Sequence, residues 1–334
     1  MTTILYPERM YADDRYECEI FPGDATIVMR DTALLSELSD EDCAAAEGLM
    51  LFRQWARAED IARFPRLRAI VRMGVGYDRI DRAAAARRGI IVCNVPDYGT
   101  TEVADHAIAL TLALRRGLLM HHDAQRAHPP AAWVANTSPL LRRLSAQKFG
   151  IVGLGRIGTA VALRAKALGF DVVFYDPFRS NGTELSLGIR RATSLEALLK
   201  QADVLSLHTP HTPQTAGMIG AAQLALLPAN AVVVSTARGT AIDIDALEAA
   251  LRSGHLAGAG LDVLPVEPPV EPIPGLLKAY RERAEWTIGR LIITPHSAFL
   301  TPESHHDIRI KSAETMRAAL FSNQPQNVIA PDDH

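Results

Sequence analysis

Cysteine is scarce in this chain: Cys18, Cys43 and Cys93 lie far apart with no CxxC spacing. That excludes a disulfide framework and a cysteine-built metal site, and it fits a reduced, cytoplasmic setting. A surplus of charge is also missing. The net charge is only −3 across 334 residues, so no basic field exists to hold nucleic acid. No apolar run approaches the roughly 20 residues that span a bilayer. The stretch "MTTILYPERM" lacks the basic n-region and apolar core of a signal peptide. Tandem repeats and low-complexity tracts are absent too. What remains is the expectation of a soluble cytoplasmic protein that binds small molecules, with no metal, nucleic acid or membrane among its partners.

The composition, 48% hydrophobic and 22% charged, is that of an ordinary globular chain. Single cores stop growing at about 250–300 residues, so this length implies two domains and hence a cleft. Short β-like runs ("TILYP", "ATIVM", "GLMLF", "RAIVRMGVG", "GIIVCNVP") alternate with helical segments, the pattern of βαβ units and a parallel sheet. "TTEVADHAIALTLALRRGLLMHH" (100–122) reads as one long buried helix. Helices apolar on most faces sit between domains or subunits. A Pro- and Arg-rich loop follows, and then a second βα series opens at "KFGIVGLGRIG" and continues through "DVLSLH", "AVVVSTA", "GAGLDV" and "RLIITPH". The expected fold is therefore α/β, with two doubly wound parallel-sheet domains of Rossmann or flavodoxin-like type. The closing "TPESHHDIRIKSAETMRAALFS" reads as a helix capped by Thr301, with Pro302 in its first turn.

"GLGRIG" (Gly153, Gly155, Arg156, Ile157, Gly158) is a GxGxxG placed directly after a strand and opening a helix, with a second strand ending on Asp176. In that context the glycines serve a tight turn, close approach of a pyrophosphate, and helix-on-strand packing. The helix N-terminus then faces the phosphates. Asp176 is placed to accept hydrogen bonds from ribose hydroxyls and to repel a 2′-phosphate, which favours NAD over NADP. Arg179, three residues on, is the counter-signal.

A hydride-transfer site also needs a cation for a substrate carboxylate and an acid/base for its oxygen. Arg238 after "VVVSTA", Glu267 in "LDVLPVEPP" and His296 in "LIITPHSAF" all follow strand ends, where ligands of doubly wound sheets bind. On position alone Arg238 either pairs with protein or awaits a ligand. Together "GLGRIG", "STARGTAID", "GAGLDVLPVEPP" and "ITPHSAF" resemble the successive signatures of the D-isomer-specific 2-hydroxyacid dehydrogenase family. "VRMGVGYDRID" and "NVPDYGTTEVADHAIAL" are most similar to its branch of C-terminal binding proteins and their bacterial enzyme relatives.

The resemblance implies that Arg238 anchors the substrate carboxylate, that His296 exchanges the proton, and that Glu267 orients and charges His296. It implies cofactor contacts at Thr101, His208, Thr209, Ala237 and Asp262, and substrate contacts at Arg72, Val75, Gly76, Arg53 and Phe299. It also implies a substrate domain made of 1–99 and 299–334 around an NAD-binding domain of 100–298, and a homodimer wrapped by the loop "HPPAAWVANTSPLLRRL". The activity implied is NAD-dependent interconversion of a 2-oxo acid and a D-2-hydroxy acid. An NAD(H)-sensing, corepressor-like binding protein is the alternative. The chain departs from the branch at Phe299, where tryptophan is usual, at His211, where leucine is usual, and in a longer segment between Glu267 and His296, read as an inserted helical piece.

Overall fold

A computed structural model describes residues 1–23, 25–322 and 324–332. The chain divides into two compact units, Met1–Gly99 with Leu300–His334, and Thr100–Phe299. Phe299 thus falls with the second unit.

In the first unit the apolar runs become β1 (Thr2–Tyr6), β2 (Ala25–Met29), β3 (Ala46–Leu51), β4 (Ala69–Arg72) and β5 (Ile91–Asn94). All pair parallel, in the order β2-β1-β3-β4-β5. The order reverses between β1 and β3, the kind of switch point where loops at the carboxyl ends part. The C-terminal helix Pro302–Leu320 packs on this sheet. The Thr301 hydroxyl accepts from the Ser304 N–H, and Pro302 stands in the first turn, where its missing N–H is not needed. A small residue is required beneath that helix, because a Cβ at Gly48 would lie 2.8 Å from Met316 Sδ.

The second unit carries β6 (Lys148–Val152), β7 (Asp171–Tyr175), β8 (Arg190–Arg191), β9 (Val204–Leu207), β10 (Ala231–Ser235), β11 (Leu256–Leu261) and β12 (Leu291–Ile293). They form a parallel sheet in the order β12-β11-β10-β9-β6-β7-β8, with the switch between β9 and β6. Both faces are covered, so alternate residues of one strand enter different cores. Ala231 and Val233 join one, and Val232 and Val234 the other. Two-residue β8, an Arg-Arg pair, has no apolar run to announce it.

The long helix expected over 100–122 is in fact two, Thr100–Arg115 and Leu118–Arg126. Gly117 breaks it in the left-handed conformation, φ 60°. Only the first piece is buried. Its last residue, Arg115, is 1% exposed and donates to the carbonyls of Asn230 and Asp203, which precede β10 and β9. Burial pulls its pKa down to about 10, so those carbonyls stabilise its charge. The long segment before His296 is helical over Gly275–Arg281, with Leu276, Leu277 and Ala279 buried.

Candidate active site

The glycine turn between β6 and the helix Arg156–Ala167 is built as its spacing requires. Gly153 has φ +87°, and a Cβ there would lie 2.8 Å from the His208 carbonyl oxygen. A Cβ on Gly158 would lie 2.1 Å from the Gly153 carbonyl oxygen, so helix and turn touch through bare backbone. At Gly155 nothing comes nearer to such a Cβ than Arg179 Nη2 at 3.9 Å, which leaves the helix N-terminus open to a ligand. Arg156 is exposed and Ile157 half-buried at the start of that helix.

Asp176 follows β7. Its carboxylate accepts the Leu154 N–H at 2.7 Å and the Phe178 N–H at 2.9 Å, which ties it to the glycine turn. Arg179 Nε lies 3.7 Å from the same carboxylate. The neighbouring strand ends carry buried hydroxyls, Thr209 Oγ1 and Thr236 Oγ1, with no hydrogen-bond partner among the described residues. Orphaned donors of this kind are rare in a finished core and fit a polar ligand such as a dinucleotide. His208 bonds Ser206 Oγ through Nε2 at 2.8 Å, while its buried Nδ1 has no partner. Loss of solvent pushes its pKa down to about 3, so it is a neutral ring beside the turn. Thr101 differs from expectation: it is exposed and its hydroxyl donates to Glu102, whereas Thr100 holds the buried unpartnered hydroxyl.

Three sequence-distant residues meet at the ends of β10, β11 and β12. His296 Nδ1 and Glu267 Oε2 are 2.6 Å apart. Glu267 Oε1 accepts the Leu264 N–H at 2.7 Å, which orients the carboxylate. Burial alone would raise the pKa of Glu267. It is outweighed by the hydrogen bond and charge of His296, the Leu264 N–H and the charge of Arg238, so the net pKa is lowered and the group stays ionised at neutral pH. Arg238 donates to the Ala237 carbonyl at 2.9 Å and begins the turn Gly239–Ala241. Ala237 itself is 8% exposed. Gly239 makes the meeting possible, since a Cβ there would lie 1.9 Å from the Leu264 carbonyl carbon. Phe299 stands edge-on to His296, ring centroids 6.4 Å apart. His211 Nδ1 bonds Thr240 Oγ1 at 2.8 Å, just after the arginine turn.

His296 has φ +52°, a conformation uncommon outside glycine and asparagine. Asp262 holds it there. The Asp262 carbonyl accepts the His296 N–H at 2.8 Å. Its carboxylate, 1% exposed, accepts Thr294 Oγ1 at 2.6 Å, the Ser297 N–H at 2.9 Å and the Ala298 N–H at 2.9 Å. The resemblance implies a cofactor contact for Asp262, and in the structure its oxygens hold this turn. Sequence reasoning missed Gly239 and Thr294. Gly239 adjoins Arg238 in "RG" and Thr294 lies two residues before His296 in "ITPH", and only the third dimension gives each a task.

The first unit has candidate substrate residues of its own. Among the described residues the N–H groups of Val75 and Gly76 have no protein acceptor, and Asn94 Nδ2 fixes their loop through the Val75 carbonyl at 2.7 Å. Arg72 donates to the Met73 carbonyl at 2.7 Å. The guanidinium carbons of Arg53 and Arg72 lie 5.2 and 5.9 Å from the Phe52 ring centroid, so two cations share one ring. The loop after β3 carries a further device. The Glu8 carboxylate accepts the N–H groups of Phe52, Arg53 and Gln54, filling with a side chain the donor nest at the switch point.

Residues 108–298 match the family model described as "D-isomer specific 2-hydroxyacid dehydrogenase, NAD binding domain". The chain is 36% identical over 275 residues to a glyoxylate reductase of Korarchaeum cryptofilum, covering 81% of this chain and 79% of that protein. It is 37% identical over 263 residues to a D-3-phosphoglycerate dehydrogenase of Mycobacterium leprae, covering 79% of this chain but 47% of that longer protein. Among solved structures, a D-lactate dehydrogenase from Aquifex aeolicus complexed with NAD and lactic acid superposes with a TM-score of 0.84 at 28% identity, covering 98% of this chain and 99% of the other.

Proposed function

The chain belongs to the D-isomer-specific 2-hydroxyacid dehydrogenase family, with that family's NAD-binding domain, and from that premise we propose that it interconverts a 2-oxo acid and a D-2-hydroxy acid. The observation that carries the proposal is the His296–Glu267 pair at 2.6 Å with the Arg238 charge beside it. NADH, when bound, supplies the hydride that adds to the carbonyl carbon. The turn Gly153–Gly158 holds its pyrophosphate, Asp176 its ribose hydroxyls, and the Thr209 and Thr236 hydroxyls are further donors to it. Arg238 presents a planar fork to the substrate carboxylate and polarises the neighbouring oxo group. His296, with Nδ1 committed to Glu267, has Nε2 left for the substrate oxygen. It gives up a proton as that oxygen gains negative charge and takes it back in the oxidation. Ionised Glu267 stabilises the imidazolium between turnovers.

Arg53 and Arg72 are assigned as substrate contacts, with Val75 and Gly76 as N–H donors and Phe299 as a wall beside His296. The two cations favour a substrate bearing a second anionic group. The test is NADH oxidation with a panel of 2-oxo acids, small, extended and dicarboxylic. Turnover with at least one acid is expected, with higher kcat/KM for the dicarboxylic and extended members. The reverse order would remove Arg53 and Arg72 from substrate selection. No turnover with any acid would favour the rival reading, a protein whose output is NAD(H)-dependent binding.

We also infer that the chain is a cytoplasmic homodimer. Trp133 is 89% exposed, Val134 64% and Leu118 56%, large apolar side chains left to solvent after the helix break and in the loop that follows.

A further inference from the structure

His106 has no part in the chemistry above, yet it lies directly behind it. It projects from the helix Thr100–Arg115 with its side chain 24% exposed. Nε2 is 3.0 Å from Thr294 Oγ1 and 3.7 Å from Asp262 Oδ1. A hydroxyl has one proton to give. Thr294 gives it to Asp262 at 2.6 Å, so towards His106 the same oxygen can only accept. The ring nitrogen facing it must therefore carry hydrogen, which fixes the tautomer of His106.

We propose that His106 is a positioning residue: its Nε2–H donates to Thr294, Thr294 donates to Asp262, and Asp262 fixes the 294–298 turn that presents His296. This rests on His296 being the acid/base. It adds that the strained backbone of His296 is maintained from a helix about 190 residues earlier in the chain. Without the His106 donor, the Thr294 hydroxyl is free to rotate away. The clamp on Ser297 and Ala298 then loosens, and the 2.6 Å contact of His296 with Glu267 loses its alignment.

The test uses the full chain with three variants, H106L, H106Q and T294V. Glutamine places an amide donor near the position of Nε2, and leucine places none. H106L is expected to lower kcat roughly tenfold or more, the scale of one lost hydrogen bond in a charged network, with the Kd for NADH within about twofold of wild type. H106Q recovers most of that loss. H106L/T294V is no worse than either single change, as expected for links of one chain. A second readout needs no turnover: the downfield proton resonance of the His296–Glu267 hydrogen bond, assigned by its absence in E267Q. It broadens or vanishes in H106L and persists in H106Q. Wild-type kcat together with an unchanged resonance in H106L overturns the proposal, as does equal loss in H106L and H106Q. If the wild type turns over no 2-oxo acid, the catalytic reading fails and the resonance alone decides the role of His106.

Discussion

His296 and Glu267 make opposite demands on a mutagenesis experiment. Replacing His296 with alanine removes the proposed proton donor but none of the groups assigned to the dinucleotide. Turnover is expected to fall at least ~10²-fold, the scale of a lost general acid, while NADH binding measured by fluorescence stays near wild type. Glu267 acts through its charge, and its pKa is lowered in the folded state. Its contribution to stability is therefore complete above the ordinary glutamate pKa of about 4.3 and is lost as pH falls through the lower folded value. Denaturant melts of wild type and E267Q should differ at pH 7 and pH 5 and converge towards pH 3. A difference that grew on acidification would show that Glu267 is not held ionised. At Asp176, change to alanine removes a ribose acceptor and a charge that repels phosphate while leaving Arg179 beside the turn. The ratio of NADPH to NADH activity should rise, and a wild-type preference for NADPH would refute the cofactor assignment.

Elements meet at this site through missing side chains. The turn after β10 approaches the loop after β11 so closely that Gly239 has no room for a methyl group against the Leu264–Pro265 backbone. Gly239→Ala should therefore cost about 1–3 kcal/mol of stability, as overpacking does. It should also reduce kcat by at least ~10-fold, because misplacing reacting groups by 1 Å costs on the order of 10²-fold. Thermal melts and steady-state kinetics check both, and wild-type kcat in a folded Gly239→Ala protein would separate Arg238 from Glu267 functionally. In the other sheet the β1–β3 switch point is closed by Glu8, whose carboxylate occupies the N–H groups of 52–54. The β4 loop, with Val75 and Gly76, keeps its donors. One strand end is thus sealed by the chain itself, and the next is the one proposed to meet the substrate.

At the scale of the whole molecule, the dimer proposal rests on the exposed apolar side chains of Trp133, Val134 and Leu118. Light scattering across a dilution series should report twice the chain mass, and a monomer at every concentration would leave that exposure unexplained. A Trp133→Ser, Val134→Ser double variant should shift the equilibrium towards monomer with little effect on the isolated fold, since neither side chain contributes to a core.

Much of this protein was legible in sequence for a physical reason. Short continuous apolar runs specify strands buried on both faces, a strand–GxGxxG–helix passage ending on Asp176 specifies a dinucleotide turn, and Arg238, Glu267 and His296 each follow a strand whose carboxyl end is where ligands bind. Local backbone chemistry suffices for the strands and the turn, whereas the roles of Arg238, Glu267 and His296 rest on the resemblance. Contacts between residues far apart in the chain are not encoded locally. Nothing in "ADHAIAL" connects His106 to Thr294, nothing near Gly239 mentions Leu264, and nothing in "GAGLDV" shows that the Asp262 oxygens hold Ser297 and Ala298. The helix over 100–122 was misread because its apolar content continues through a residue, Gly117, that adopts a left-handed conformation. Sequence determined which residues stand at the strand ends. Only the tertiary structure decided which of them touch, because hydrogen-bond partners and close backbone approaches depend on how the strands are ordered across the sheet.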